Sequence, residues 1–212
     1  MNLPSRKSCT LLAGPNGSGK SSIFETLKPN GVFVNADVVA RRLRPDDPSS
    51  ASLEAGREVL RKLEALRRDG SSFVYETTLS SRQSIALMEA CRRDGYEVDL
   101  VFVILLDADL NIRRVAERVR RGGHDIPEPV IRRRYDASLR RLAEAIPLAD
   151  NCLFFDNSET SPRLLLSIER GTVIQSDLDS TETLQARLVG IVDAALGTSV
   201  PTPPAGGSRT RR

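Results

Sequence analysis

The chain has 212 residues, of which 40% are hydrophobic and 28% charged, with a formal net charge of +3. That suffices for one well-filled α/β domain without disulfide staples, and residues 1–196 read as that single domain. No apolar run reaches membrane-spanning length and no signal-peptide core follows residues 1–7, so the chain reads as cytoplasmic. Cys9, Cys91 and Cys152 show no metal-ligand spacing and read as small buried hydrophobes.

The first apolar run, 8–13, reads as a strand leading into Gly14-Pro15-Asn16-Gly17-Ser18-Gly19-Lys20-Ser21, a complete G-x-x-x-x-G-K-[ST] loop. Backbone N–H groups of such a loop point inward around a phosphate. Lys20 then reaches the β- and γ-phosphates, and the Ser21 hydroxyl sits on Mg²⁺. With Ser22, these residues form the expected ATP site, and the helix predicted over 19–27 turns its positive end toward the anion.

A strand at 32–34, helices at 36–44 and 51–68 and a strand at 72–76 follow. The second strand ends in Val34-Asn35-Ala36-Asp37, and carboxyl ends of strands line the ligand crevice of doubly wound sheets. Asp37 there takes the proton of an attacking hydroxyl, holds Mg²⁺ through water, or caps the next helix. The third strand runs into Glu76-Thr77-Thr78-Leu79-Ser80-Ser81-Arg82, a carboxylate and four hydroxyls suited to a hydroxyl-rich acceptor. Asn35, Glu76, Thr77, Thr78 and Arg82 are the expected acceptor-side residues, while Ser80 or Ser81 also suits a helix cap. The helix over 51–68 carries an apolar stripe at Leu53, Leu60, Leu63 and Leu66. Arg-Arg-Asp-Gly occurs at 67–70 and 92–95, each time as a helix C-terminal cap.

After a helix at 82–93 and a strand at 98–106, helices at 109–121 and 127–147 hold ten arginines between Arg113 and Arg141. A cluster of that kind suits phosphate. Polynucleotide is disfavoured, because aromatic residues make up 4% of the chain, Trp is absent, and no stacking platform results. Arg114, Arg118 and Arg121 are spaced four and three apart, so they share one helix face as a cationic comb beside Ile112, Val115 and Val119. Arginines that close over a γ-phosphate stabilise the charge on its equatorial oxygens. Gly122-Gly123 make a hinge, and Asp125 and Glu128 a capping-box-like start around Pro127, so residues 114–134 read as an Arg-rich helical lid. His124, at its tip, is either structural or a phosphate contact. Arg132, Arg133 and Arg134 cannot all face one way, and Arg134 is the one assigned to the site.

A strand at 151–155 ends in Asp156-Asn157-Ser158, where fold analogy puts adenine in the following loop. A hairpin over 164–174 turns at Arg170-Gly171, a last helix spans 181–195, and residues 197–212 form a Pro/Gly/Ser-rich basic tail expected to be disordered. The alternation gives a P-loop NTPase of the α/β class, a parallel sheet with helices on both faces.

Four motifs in order carry a resemblance over about residues 8–160. They are the loop 14–21; Asn35-Ala36-Asp37; Glu76-Thr77-Thr78-Leu79; and residues 118–124 with Pro127-Glu128 and Arg132-Arg133-Arg134-Tyr135. Together they resemble the zeta-toxin family of P-loop kinases in its shorter, free-standing form. The resemblance implies an Mg²⁺- and ATP-dependent kinase acting on a hydroxyl of a small polar acceptor, UDP-N-acetylglucosamine first, and a small antitoxin protein as partner. It makes Lys20 the phosphate ligand, Asp37 the general base and Glu76 an acceptor-positioning residue. Arg118 with a second lid residue would stabilise the transferring group; Arg121, His124 and Arg134 compete for that second place. A nucleotide-switched ATPase or binding module is the rival reading, and a nucleoside, an antibiotic or a polynucleotide 5′ end are rival acceptors. The strand end Leu106-Asp107-Ala108 lacks the Asp-Glu of switch ATPases, which favours transfer over hydrolysis.

Overall fold

The computed structural model describes residues 6–202. In chain order the elements are β1 (Ser8–Ala13), α1 (Lys20–Leu27), β2 (Val32–Asn35), α2 (Ala36–Leu43), α3 (Ser52–Arg68), β3 (Phe73–Thr77), α4 (Arg82–Arg93), β4 (Glu97–Ile104), α5 (Ala108–Arg120), α6 (Glu128–Ala145), β5 (Asn151–Asp156), β6 (Arg163–Glu169), β7 (Thr172–Ser176) and α7 (Thr183–Leu196). Five parallel strands run in the order β2-β3-β1-β4-β5, as the alternation predicts. The hairpin then extends the sheet antiparallel beyond β5, so the sheet is mixed. Arg170 and Gly171 both have positive φ, 46° and 77°, the left-handed pair that a tight two-residue hairpin turn requires.

The central strands are buried on both faces, which is why their sequences read as near-continuous apolar runs. On one face Leu11, Phe73, Leu100 and Phe102 join the large core covered by α2, α3, α4, α6 and α7. On the other, Leu12, Val74, Val101 and Val103 pack against Ile23 of α1. A third, separate cluster of Val115, Ile126 and Ile131 binds α5 to the start of α6. Cys9, Cys91 and Cys152 are all buried and free, as expected of small hydrophobes.

In α3 the buried face is Ala55, Val59 and Leu63, whereas Leu53 is 71% exposed and Leu60 lies at the surface. The stripe expected at Leu53 and Leu60 is therefore rotated, because small Ala55 and branched Val59 supply the surface that meets the core. The two Arg-Arg-Asp-Gly caps form as read. Gly70 and Gly95 have φ of 69° and 76°, and Ser71 and Tyr96 donate back to the carbonyls of Leu66 and Cys91, each at 3.0 Å. Arg67 of the first cap pairs with Asp94 of the second. Of the expected tail, Gly197 caps α7 in the left-handed conformation and Val200 is buried, its N–H donating to Asp193 at 2.6 Å. The tail's remainder, 203–212, lies outside the described residues. No described helix is long and apolar enough to cross a membrane.

Candidate active site

The loop at 14–21 leaves β1 at the carboxyl edge of the sheet, between β3 and β4, where the strand connections diverge. Its glycines are dictated by space as well as dihedral. A Cβ on Gly14 would stand 2.0 Å from the Val103 carbonyl oxygen, and one on Gly19, at φ 88°, 2.1 Å from Asn157 Nδ2. Three side chains from distant elements grip this loop. Asn111 of α5 donates to the Asn16 carbonyl at 2.6 Å, Asn157 after β5 donates to the Ser18 carbonyl at 2.8 Å, and Arg134 of α6 donates to Asn16 Oδ1 at 3.0 Å.

Lys20 Nζ folds back onto the carbonyls of Gly14 (2.9 Å) and Pro15 (3.2 Å) and lies 3.8 Å from a Glu76 carboxylate oxygen. Burial pushes its ammonium below the ordinary value; Glu76 and Asp37 pull the other way, and Arg118 and Arg134 add to the depression. Arg134 is likewise lowered by burial and by neighbouring Arg133, against the pull of Asp37. The buried Lys20 and the half-buried Arg134 thus converge beside the glycine loop, an arrangement that suits an anion. The Ser18 hydroxyl and Arg118 Nε are buried without a hydrogen-bond partner among the described residues. The orphaned Ser18 hydroxyl, with the glycine cradle, fits nucleotide phosphates. Ser21 is exposed at the first turn of α1, and no cluster of three or more metal-ligating side chains exists among the described residues. A lone hydroxyl of this kind fits a Mg²⁺ ion that would be held mainly by phosphate and water oxygens.

Next to the loop opens a cavity of about 310 Å³. Asn35, not Asp37, caps α2: its Oδ1 accepts from the N–H groups of Asp37 (2.6 Å) and Val38 (3.1 Å). Asn35 Nδ2 donates to Glu76 at 2.7 Å. The capping alternative for Asp37 therefore falls to Asn35, and the Asp37 carboxylate lines the cavity, exposed and without a hydrogen bond among the described residues. Thr77 and Thr78 line the same wall with Ser80 and Ser81. Ser81 precedes α4 but makes no side-chain cap, so neither serine is consumed by the helix start.

The residues expected to form the lid separate. Arg118 donates to the His124 carbonyl at 2.8 Å and so ties the Gly122-Gly123 bend, but does not line the cavity. Arg121 is exposed and paired with Glu117, and Arg114 turns to the Ser158 carbonyl at 3.1 Å. The three do not form one comb, since each finds a different oxygen within reach. Arg132 is held outward by Asp109 and Glu128. That pairing also removes Glu128 from the expected capping box, and Asp125 instead accepts from the Ile126 N–H. His124, Ile126 and Arg134 do line the cavity. Arg82 is exposed outside it. Asn111 and Asn157 are the positioning residues that spacing did not single out. Asp107, in the connection after β4, caps α5 by accepting from the Leu110 N–H at 2.7 Å.

A family model of the AAA domain (AAA_33) matches residues 10–145. The chain belongs to the AAA domain family. A relative in Haemophilus influenzae, an uncharacterised protein, is 30% identical over 124 residues, covering 58% of this chain and 88% of the relative. Among solved structures, the AvrRxo1-ORF1:-ORF2 complex with ATP matches with a TM-score of 0.62 at 17% identity, over 92% of this chain and 78% of that one. The PezAT chromosomal toxin-antitoxin system of Streptococcus pneumoniae matches with a TM-score of 0.59 at 12% identity, over 93% and 90%. At these identities the likeness is one of fold, the P-loop NTPase fold expected from the sequence, and it agrees with the resemblance to zeta-toxin P-loop kinases.

Proposed function

We propose that this AAA domain protein is an Mg²⁺-ATP-dependent kinase that transfers the γ-phosphate to a hydroxyl of a small polar acceptor. The observation that carries this is the placement of Asp37, a carboxylate free of hydrogen bonds among the described residues, in one cavity with Lys20 and Arg134. The loop N–H groups and Lys20 bind the donor phosphates, and Arg134, latched to Asn16, stands where charge develops on the transferring group. Arg118 shapes the lid through the His124 carbonyl. Mg²⁺, held with the help of Ser21, would neutralise phosphate charge. The acceptor oxygen–phosphorus bond forms as the bond to the β–γ bridging oxygen breaks; ADP leaves, and Asp37 takes the hydroxyl proton. Glu76, fixed by Asn35, orients the acceptor, aided by Thr77 and Thr78.

A switch ATPase needs a carboxylate after β4 to poise water. Asp107 is instead engaged as a helix cap, which favours transfer. UDP-N-acetylglucosamine is the acceptor implied by the zeta-toxin resemblance, and a protein antitoxin the implied partner; the toxin-antitoxin neighbour supports testing both. The experiment incubates the protein and Mg²⁺-ATP with sugar nucleotides, free sugars, nucleosides and antibiotics and seeks, by mass spectrometry, an acceptor that gains one phosphate. Acceptor-dependent ADP release with a phosphorylated product supports the kinase. ADP release that no acceptor alters, without such a product, contradicts it.

A further inference from the structure

We propose that the acceptor is a compact polyol carrying an amine and no phosphate, an amino sugar or aminocyclitol in class; this rests on the kinase reading above. The cavity is divided by charge. Its cationic lining side chains, Lys20 and Arg134, and its histidine, His124, come from the phosphate loop and the lid. The lining contributed by β2, α2, α3, β3 and the β3–α4 connection contains no Lys or Arg. It contains Asp37, Glu76 and Asn35, and the hydroxyls of Ser52, Tyr75, Thr77, Thr78, Ser80 and Ser81. A diphosphate on the acceptor would lie against two carboxylates with no cation of its own, a costly juxtaposition in a partly desolvated site. Arg41 reaches only a side niche of about 20 Å³, room for little more than one water. Arg82 is exposed outside the lining.

Size points the same way. The cavity of about 310 Å³ also holds the space in front of Lys20 where the transferred phosphate must sit. What is left lies at or below the small end of ligand cavities, about 300 Å³. The part of the acceptor held inside the cavity is therefore the size of a single ring, and anything larger would extend through its open mouth.

The amine follows from Glu76. Its carboxylate is shared between Asn35 at 2.7 Å and the Lys20 ammonium at 3.8 Å. Once Lys20 turns to donor phosphate, Glu76 keeps the amide but loses its cation, and an acceptor ammonium replaces it. The Thr78 and Ser80 hydroxyls, paired at 2.8 Å, can each donate or accept toward ring hydroxyls. Transfer leaves the ammonium protonated, because the proton released belongs to the attacking hydroxyl and goes to Asp37.

The test compares kcat/KM of the full chain with Mg²⁺-ATP on glucosamine and 2-deoxystreptamine against N-acetylglucosamine and UDP-N-acetylglucosamine. A charge-assisted contact to Glu76 predicts a preference of about tenfold or more for the amines. Glu76→Gln should reduce that preference to about threefold or less while ATP affinity stays within about threefold. N-acetylglucosamine or the sugar nucleotide used as well as the amines, or an amine preference unchanged in Glu76→Gln, overturns the inference and leaves the kinase standing. Phosphate transfer to none of the four overturns the inference and counts against the kinase reading as well.

Discussion

Lys20 concentrates the electrostatics of the site. Its folded value lies below the ordinary 10.5, principally through burial. Between those two values the unfolded chain holds a proton that the folded chain lacks, so stability gains from this group as pH rises through that window. Nucleotide binding has the opposite sign. Phosphate pairs with the ammonium, so ATP affinity should fall as pH rises through the folded value, at a pH below 10.5. Titration calorimetry at increasing alkaline pH checks this: the fall should be present in the wild type and absent in Lys20→Met, whose affinity is already weak. A flat wild-type profile would count against Lys20 as the phosphate ligand. At this scale Lys20, Asp37 and Glu76 were legible because a motif or a strand end marks each. Asn35 and Asp37 are both capping types two residues apart, and only the extended backbone at Asn35 (φ −142°, ψ 129°) decides between them. Asn111 and Asn157 were hidden because the loop they hold lies 95 and 139 residues away.

At the scale of elements, the lid shows what helical spacing can and cannot say. The stripe Ile112, Val115 and Val119 faces Ile126 and Ile131 as its period demands. The arginines on the same helix diverge, because a long flexible side chain goes to the nearest oxygen, whether Glu117, the His124 carbonyl or the Ser158 carbonyl. The lid arginine that reaches the cavity comes from the next helix. Arg134→Ala should therefore lower transfer by about 10²-fold, the effect of losing one preorganised charge-stabilising donor. Arg121→Ala, which breaks only an exposed pair, should stay within about twofold. Steady-state kinetics on the two variants side by side would reverse the assignment if Arg121→Ala were the damaging change. The α3 stripe teaches the same lesson for apolar residues: Leu53 fits the period yet sits in solvent, and Ala55, which carries little hydrophobic weight, marks the buried face.

For the whole molecule, the order of strands and helices was legible because parallel strands buried on both faces leave unbroken apolar runs. The edge was legible through its turn, Arg170-Gly171. The insertion of β3 between β2 and β1 was not, since nothing local in any of these strands states its neighbour. Phe102, fully buried in β4, packs against Phe154 of β5 with ring centroids 6.1 Å apart. Phe102→Ala should destabilise the fold by about 3–5 kcal/mol, read by urea unfolding, while leaving the site residues in place. A loss under about 1 kcal/mol would contradict the packing described.

In the proposed reaction the loop and the cavity beside it serve transfer, with Asp37 taking the acceptor proton. Asp37→Asn keeps the side chain's shape and removes its basicity. With ATP affinity and phosphoryl transfer measured on the same preparation, the variant should bind ATP nearly as the wild type does and lose about 10²–10⁴-fold in transfer. Full transfer by Asp37→Asn would contradict the account.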